Sequence, residues 1–184
     1  MEAILEKIRN YADTAHGTQM RKYTPERYIV HPVRVMENIR DYNADLPMLA
    51  AALLHDVLED TPVKPGEMLT FLQTVMSPAD AERTLELVIE MTDVYVHEDY
   101  PQWNRKVRKM HKQDRIALTS PDAQTIKYAD IIDNCREITK HDRNFAPRFL
   151  KECLANLRVA DKGNPQLYSK AFEMVEGELR SLKR

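Results

Sequence analysis

The stretch Leu49–Thr61, L-A-A-A-L-L-H-D-V-L-E-D-T, constrains this chain more than any other. Six consecutive apolar residues, Leu49 to Leu54, suit a helix buried on every side. Directly after them stand His55, Asp56, Glu59 and Asp60. On one continuous helix these form two i,i+4 pairs, His55 with Glu59 and Asp56 with Asp60. Four ionisable groups at the end of a core helix cost free energy unless something binds them. A divalent metal ion meets that need. Acids at a helix C-terminus also oppose its dipole, which again favours a bound partner over a solvated end.

The remaining pattern is helical. Only four glycines occur in 184 residues, and strand-type alternation is scarce, so an all-α fold is expected. Ile4, Leu5, Ile8, Tyr11, Ala12 and Ala15 recur at helical spacing and predict a first helix to about His16, closed by Gly17. A basic connection over 18–30 leads to Pro32, which fits the first turn of a second helix and puts His31 near its start. That helix fades at Asp41-Tyr42-Asn43. Pro47 starts a third, which carries the opening motif and stops at Thr61-Pro62; Glu67 to Met76 is a fourth.

Ser77-Pro78 and Ser120-Pro121-Asp122 read as cap and first-turn signals for two more helices. Between them lie a polar loop from Thr92 to Tyr100 and a basic helix from about Gln102 to Leu118. Helices over Pro147 to Ala160 and Gln166 to Leu182 complete a chain of seven to nine helices. No repeat or linker interrupts it, so residues 1–184 are expected to form a single domain.

A net charge of −2 gives no case for nucleic-acid binding. Arg105, Lys106, Arg108, Lys109, Lys112 and Arg115 nonetheless make one segment basic. Such a run is either the solvated face of a helix or a cover for an anionic ligand. Cys135 and Cys153 stand apart, without a CxxC spacing, and read as reduced thiols. The N-terminus lacks the basic start and apolar core of a signal peptide. No apolar run approaches the roughly 18 residues that span a membrane. A soluble cytoplasmic protein, away from membranes, is the expectation.

Asp130 lies among Ile126, Ala129, Ile131 and Ile132, where an unpartnered acid is hard to accommodate. Together, His31, His55, Asp56 and Asp130 come from three predicted helices. Two imidazoles and two carboxylates form a mixed nitrogen and oxygen shell suited to a six-coordinate manganese or iron ion, whereas zinc usually prefers four ligands.

Four segments occur in order: A-D-T-A-H-G-T-Q-M-R-K, Y-I-V-H-P, A-A-L-L-H-D-V-L-E-D-T and T-I-K-Y-A-D-I-I-D-N. Over roughly Ala12 to Asn134 the chain resembles the HD-domain phosphohydrolases, and within them the stand-alone small alarmone hydrolases of the RelA/SpoT type. The resemblance implies an HD-domain helical bundle that removes pyrophosphate from the 3′ position of ppGpp or pppGpp. It also implies a divalent metal, typically manganese, bound by His31, His55, Asp56 and Asp130. Glu59 and Asp60 match the acidic pair that activates the attacking water. Arg21 and Lys22 match a basic pair at the nucleotide pocket, and Asn134 matches a residue contacting ribose or the 3′-side phosphate. Tyr28 and Lys127 fall near the pocket by the same match.

The chain departs from the long alarmone enzymes at three places. Ile131-Ile132-Asp133-Asn134 stands for their Arg-Leu-His-Asn, Thr24-Pro25-Glu26 for a glycine turn, and Glu90-Met91-Thr92-Asp93 for a Val-Thr-Lys stretch. None touches a metal ligand; all bear on which base is recognised. Hydrolysis of another nucleotide (an adenine alarmone, a deoxynucleotide or a dinucleotide cofactor's phosphate) and a nucleotide-sensing module without turnover are the alternatives. His16, His97, His111 and His141 are assigned to surface or core.

Overall fold

The structure, a computed structural model, describes residues 1–42 and 44–182. Among the described residues it holds helices and no strand. The helices are α1 (Glu2–His16), α2 (Val30–Arg40), α3 (Leu46–Leu54), α4 (Val57–Asp60), α5 (Pro65–Gln73) and α6 (Pro78–Met91). They continue as α7 (Arg105–Leu118), α8 (Pro121–His141), α9 (Ala146–Val159) and α10 (Pro165–Ser181). Nine are full helices; α4 is a single turn of four residues. The fading of α2 is seen at Asp41 and Tyr42, while Asn43 lies outside the described residues. The chain divides into two compact units, residues 1–92 and 93–184.

In the first unit α3 is the central element. Helices α1, α2 and α6 all pack on it, and every residue from Pro47 to Leu54 is buried. That is why its apolar character has no polar stripe. Its start is fixed by Asp45, whose side chain accepts from the Met48 N–H at 3.1 Å and also from the Arg83 guanidinium of α6. At the end of α1, Gly17 adopts φ 57°, and its N–H returns to the carbonyls of Asp13 and Thr14.

The expectation of one helix through Thr61 is corrected. The helix stops at Leu54, turns at His55 and Asp56, and resumes as α4. The cause is local: Nδ1 of His55 bonds the Ala52 carbonyl at 2.8 Å. In an unbroken helix that carbonyl would serve the Asp56 N–H. Glu59 and Asp60 therefore sit in a separate turn, too short to carry a helix dipole for them to oppose.

In the second unit α10 packs on α8 and α9, and α7 packs on α9. Ser120 caps α8 by accepting from Ala123 N–H at 3.2 Å. The turn entering α10 is docked on α8 through its backbone. Lys162 N–H reaches Gln124 Oε1 at 2.7 Å, Gly163 N–H reaches the Tyr128 hydroxyl at 3.1 Å, and Asn164 N–H reaches Thr125 Oγ1 at 2.9 Å. Tyr128 is wholly buried and donates in turn to the Ala160 carbonyl at 2.7 Å. Contact is so close that a Cβ on Gly163 would lie 2.6 Å from Tyr128 Cε2 and 2.9 Å from the Thr125 nitrogen.

The basic helix starts at Arg105 rather than Gln102, with Asn104 as its cap. Before it, Tyr100 stacks on Trp103 at 4.4 Å and Trp103 on His111 at 4.3 Å. The polar loop is thus anchored by an aromatic cluster on α7.

Candidate metal centre

His31 enters from the first turn of α2, and His55 and Asp56 from the break after α3. Both histidines are buried, at 1% and 2% exposure, while Asp56 keeps a partly open edge. Their ligand atoms lie within 4.8 Å of one another. His55 Nε2 stands 3.0 Å from Asp56 Oδ2, and His31 Nε2 stands 3.6 Å from the same oxygen. The Ala52 carbonyl can only accept, so Nδ1 of His55 carries a proton and Nε2 is the nitrogen turned to the cluster. A metal-binding imidazole is commonly held in this way, with its far nitrogen donating to a carbonyl. Two buried imidazoles and a carboxylate converging on one point are a donor set that fits a divalent ion.

Tyr28 belongs to this centre through Asp56. Its hydroxyl donates to Asp56 Oδ2 at 2.6 Å, and its ring meets His31 edge-on at 5.9 Å. The Arg21 guanidinium carbon lies over the Tyr28 ring, 5.8 Å from its centroid. Lys22 is exposed, with its ammonium 4.9 Å from the Tyr23 ring centroid. Glu59 and Asp60 are both exposed on α4, and Asp60 Oδ2 accepts from Gln19 Nε2 at 3.1 Å.

In the second unit, Lys127, Asp130 and Asn134 share one face of α8. Asn134 donates to Asp130 Oδ1 at 2.6 Å and Lys127 to Oδ2 at 2.7 Å. Asp130 is 7% exposed, so this local pairing is what makes its burial affordable. Asp133, one of the departures from the long alarmone enzymes, is buried as well.

The basic helix is largely spent on protein partners. Arg105 forms a two-point pair with Glu152 of α9 at 2.9 and 2.7 Å. Arg108 donates to the Trp103 carbonyl at 2.5 Å, and Lys112 to Asp93 at 2.6 Å. Burial alone would raise the Asp93 carboxyl, but the Lys112 ammonium and the Tyr95 N–H override it and hold Asp93 below its usual range. Lys109 is pushed below the usual lysine range by burial, with Lys112 adding like-charge repulsion. The Arg105, Arg108 and Lys112 cations are thus engaged within the protein. They chiefly tie α7 to α9 and to the aromatic loop.

Residues 9–155 match the family described as HD domain. The chain belongs to the HD domain family. Among known relatives of this HD domain chain is the probable guanosine-3′,5′-bis(diphosphate) 3′-pyrophosphohydrolase of Mycoplasma pneumoniae. It is 28% identical over 142 residues, which is 74% of this chain and 18% of that protein. The guanosine-3′,5′-bis(diphosphate) 3′-pyrophosphohydrolase of Aquifex aeolicus is 28% identical over 138 residues, 73% of this chain and 18% of that protein. The chain thus spans about a fifth of the length of these relatives. A solved structure described as a metazoan ortholog of SpoT that hydrolyses ppGpp superposes with a TM-score of 0.80 at 24% identity. The match covers 98% of this chain and 97% of that one. Its likeness establishes the fold, an all-α HD-domain bundle. Among the described residues, no helix is long and apolar enough to cross a membrane.

Two contacts beside the acidic motif were not read from the sequence. Gln19 contacts Asp60, and His16, assigned there to surface or core, is buried and contacts Gln19. The His-Gly-Thr-Gln spacing around Gly17 was the available signal, because a turn at Gly17 brings the two side chains together.

Proposed function

We propose that this HD domain is a metal-dependent phosphohydrolase that removes the 3′-pyrophosphate of a guanosine alarmone, ppGpp or pppGpp. The observation that carries the reading is the convergence of His31, His55 and Asp56, with His55 Nε2 turned to the cluster. The named activity of the relatives supports the substrate class. On this reading the chain acts as one domain over 1–184, in the cytoplasm, on a nucleotide.

His31, His55 and Asp56 hold the ion, manganese by preference, and the motif match adds Asp130 as a fourth ligand. When bound, the ion polarises the scissile phosphoryl group and makes nearby water more acidic. Glu59 and Asp60 orient the attacking water and accept its proton. Arg21 and Lys22 offset the charge of the substrate's phosphates. Lys127 and Asn134 hold Asp130 and offer donors to the ribose or the 3′-side phosphate, and Tyr28 fixes Asp56 at the pocket's edge. Asp133, in the position of a histidine in the long alarmone enzymes, favours a second reading in which the base differs: an adenine alarmone, a deoxynucleotide or a dinucleotide cofactor's phosphate.

The test is a nucleotide panel with Mn²⁺, read by which phosphate leaves. Pyrophosphate released from ppGpp, and lost in His55→Ala and Asp130→Ala, is the expected result. Intact ppGpp beside turnover of another nucleotide overturns the substrate and leaves the reaction class.

A further inference from the structure

The segment between α1 and α2 touches both ends of the acidic motif. Tyr28 holds Asp56, and nine residues earlier Gln19 holds Asp60. The backbone of Gln19 is pinned on both sides: its N–H bonds the His16 carbonyl at 3.0 Å, and its carbonyl accepts from Tyr28 N–H at 3.0 Å. Met20 and Arg27 pair across the segment. Arg27 also reaches the Gly17 carbonyl and Asp13, both at 2.9 Å. On so constrained a backbone, the ordering cost of a directed contact from Gln19 is confined to its side-chain rotamers.

The amide of Gln19 can face Asp60 in only one way. His16 is 7% exposed, and its Nε2 is buried with no hydrogen-bond partner among the described residues. A buried N–H without an acceptor costs more than a buried lone pair, so the His16 proton belongs on Nδ1. Nδ1 lies 2.9 Å from Gln19 Oε1, which therefore accepts. The Gln19 NH₂ is then turned toward Asp60 Oδ2 at 3.1 Å. With the amide reversed, a carbonyl oxygen would face a carboxylate. His16 itself packs against Tyr28, ring centroids 4.5 Å apart.

We propose that Gln19 is a positioning residue for Asp60, and that His16 sets the direction of its amide. The inference rests on the reading of Asp60 as the carboxylate that takes the water's proton. An exposed carboxylate on a four-residue turn rotates freely; the Gln19 donor holds one rotamer and leaves the second oxygen for the water. The proposed reading gives the phosphates to Arg21 and Lys22 and not to Gln19 or His16, so the loss of this arrangement acts on turnover and not on substrate affinity.

Steady-state hydrolysis of ppGpp with Mn²⁺ by Gln19→Ala, Asp60→Ala and the double variant tests it. Gln19→Ala is expected to lower kcat about tenfold, the size of one lost hydrogen bond to a charged group, with KM within about twofold. In the Asp60→Ala background the same change is expected to have no further effect, because the group through which it acts is gone. His16→Asn, which keeps a donor near the Nδ1 position, retains activity that His16→Phe loses. In metal-free protein the Gln19 side-chain amide resonances are expected to move on Asp60→Ala. Gln19→Ala at wild-type kcat, or a loss that persists undiminished in Asp60→Ala, overturns the inference while the role of Asp60 stands. Asp60→Ala at wild-type kcat overturns the role of Asp60 and this inference together.

Discussion

The Tyr28 hydroxyl donates to Asp56 Oδ2 at 2.6 Å, and that oxygen also lies 3.0 Å from His55 Nε2. A residue 28 positions upstream thus sets the orientation of a candidate metal ligand. Outer contacts of this kind typically matter about tenfold or more in metal affinity. Tyr28→Phe is expected to weaken Mn²⁺ binding by about tenfold in calorimetric titration, with the helical circular dichroism unchanged. Unaltered affinity would show that Asp56 is oriented without the phenol.

An ion held by His31, His55 and Asp56 binds the folded chain and not the unfolded one. At about a hundredfold excess over its Kd it adds roughly 2.7 kcal/mol of stability. Mn²⁺ is expected to raise Tm by several degrees, a chelator to reverse the shift, and His55→Ala to abolish it. A full shift in His55→Ala would place the ion elsewhere.

Gly163 is fixed by close approach and not by an unusual backbone angle. A methyl group there meets the Thr125 backbone and the Tyr128 ring below ordinary contact distance, so the α10 turn must lift from α8. Gly163→Ala is expected to destabilise the protein by about 1–3 kcal/mol, measured by urea unfolding. Stability within error of the wild type would mean that the turn shifts without cost.

Burial pushes the Tyr128 phenol up to about 12. Below the ordinary tyrosine value near 10 both states keep the proton, and stability is insensitive to this group. Between about 10 and 12 the unfolded chain releases the proton while the folded one retains it, so stability falls as pH rises. Urea unfolding at pH 9 and pH 11 is expected to show this loss. Tyr128→Phe should start from a lower stability, lacking the bonds to Ala160 and Gly163, and lose less between the two pH values.

Much of this protein is legible in its sequence, and the legible part is local. Ser77, Ser120 and the prolines after them mark helix starts because capping is decided within four residues. His31, His55 and Asp56 were recognisable because two of them adjoin the apolar run and the third precedes a first-turn proline. The same locality misled the reading at His55: periodicity continued the helix to Thr61, and one side-chain bond to Ala52 ended it at Leu54.

What only the tertiary structure decided are contacts between residues far apart in sequence. Tyr28 on Asp56, Gln19 on Asp60, Glu152 on Arg105 and the Gly163 turn on α8 join positions 28 to 47 residues apart. No spacing rule relates such positions, since their meeting depends on how whole helices pack. The sequence by itself therefore determined the all-α fold and the residues fit to hold a metal ion. Packing decided how the Asp56 and Asp60 carboxylates are held, because a carboxylate's orientation comes from donors that the chain brings from elsewhere.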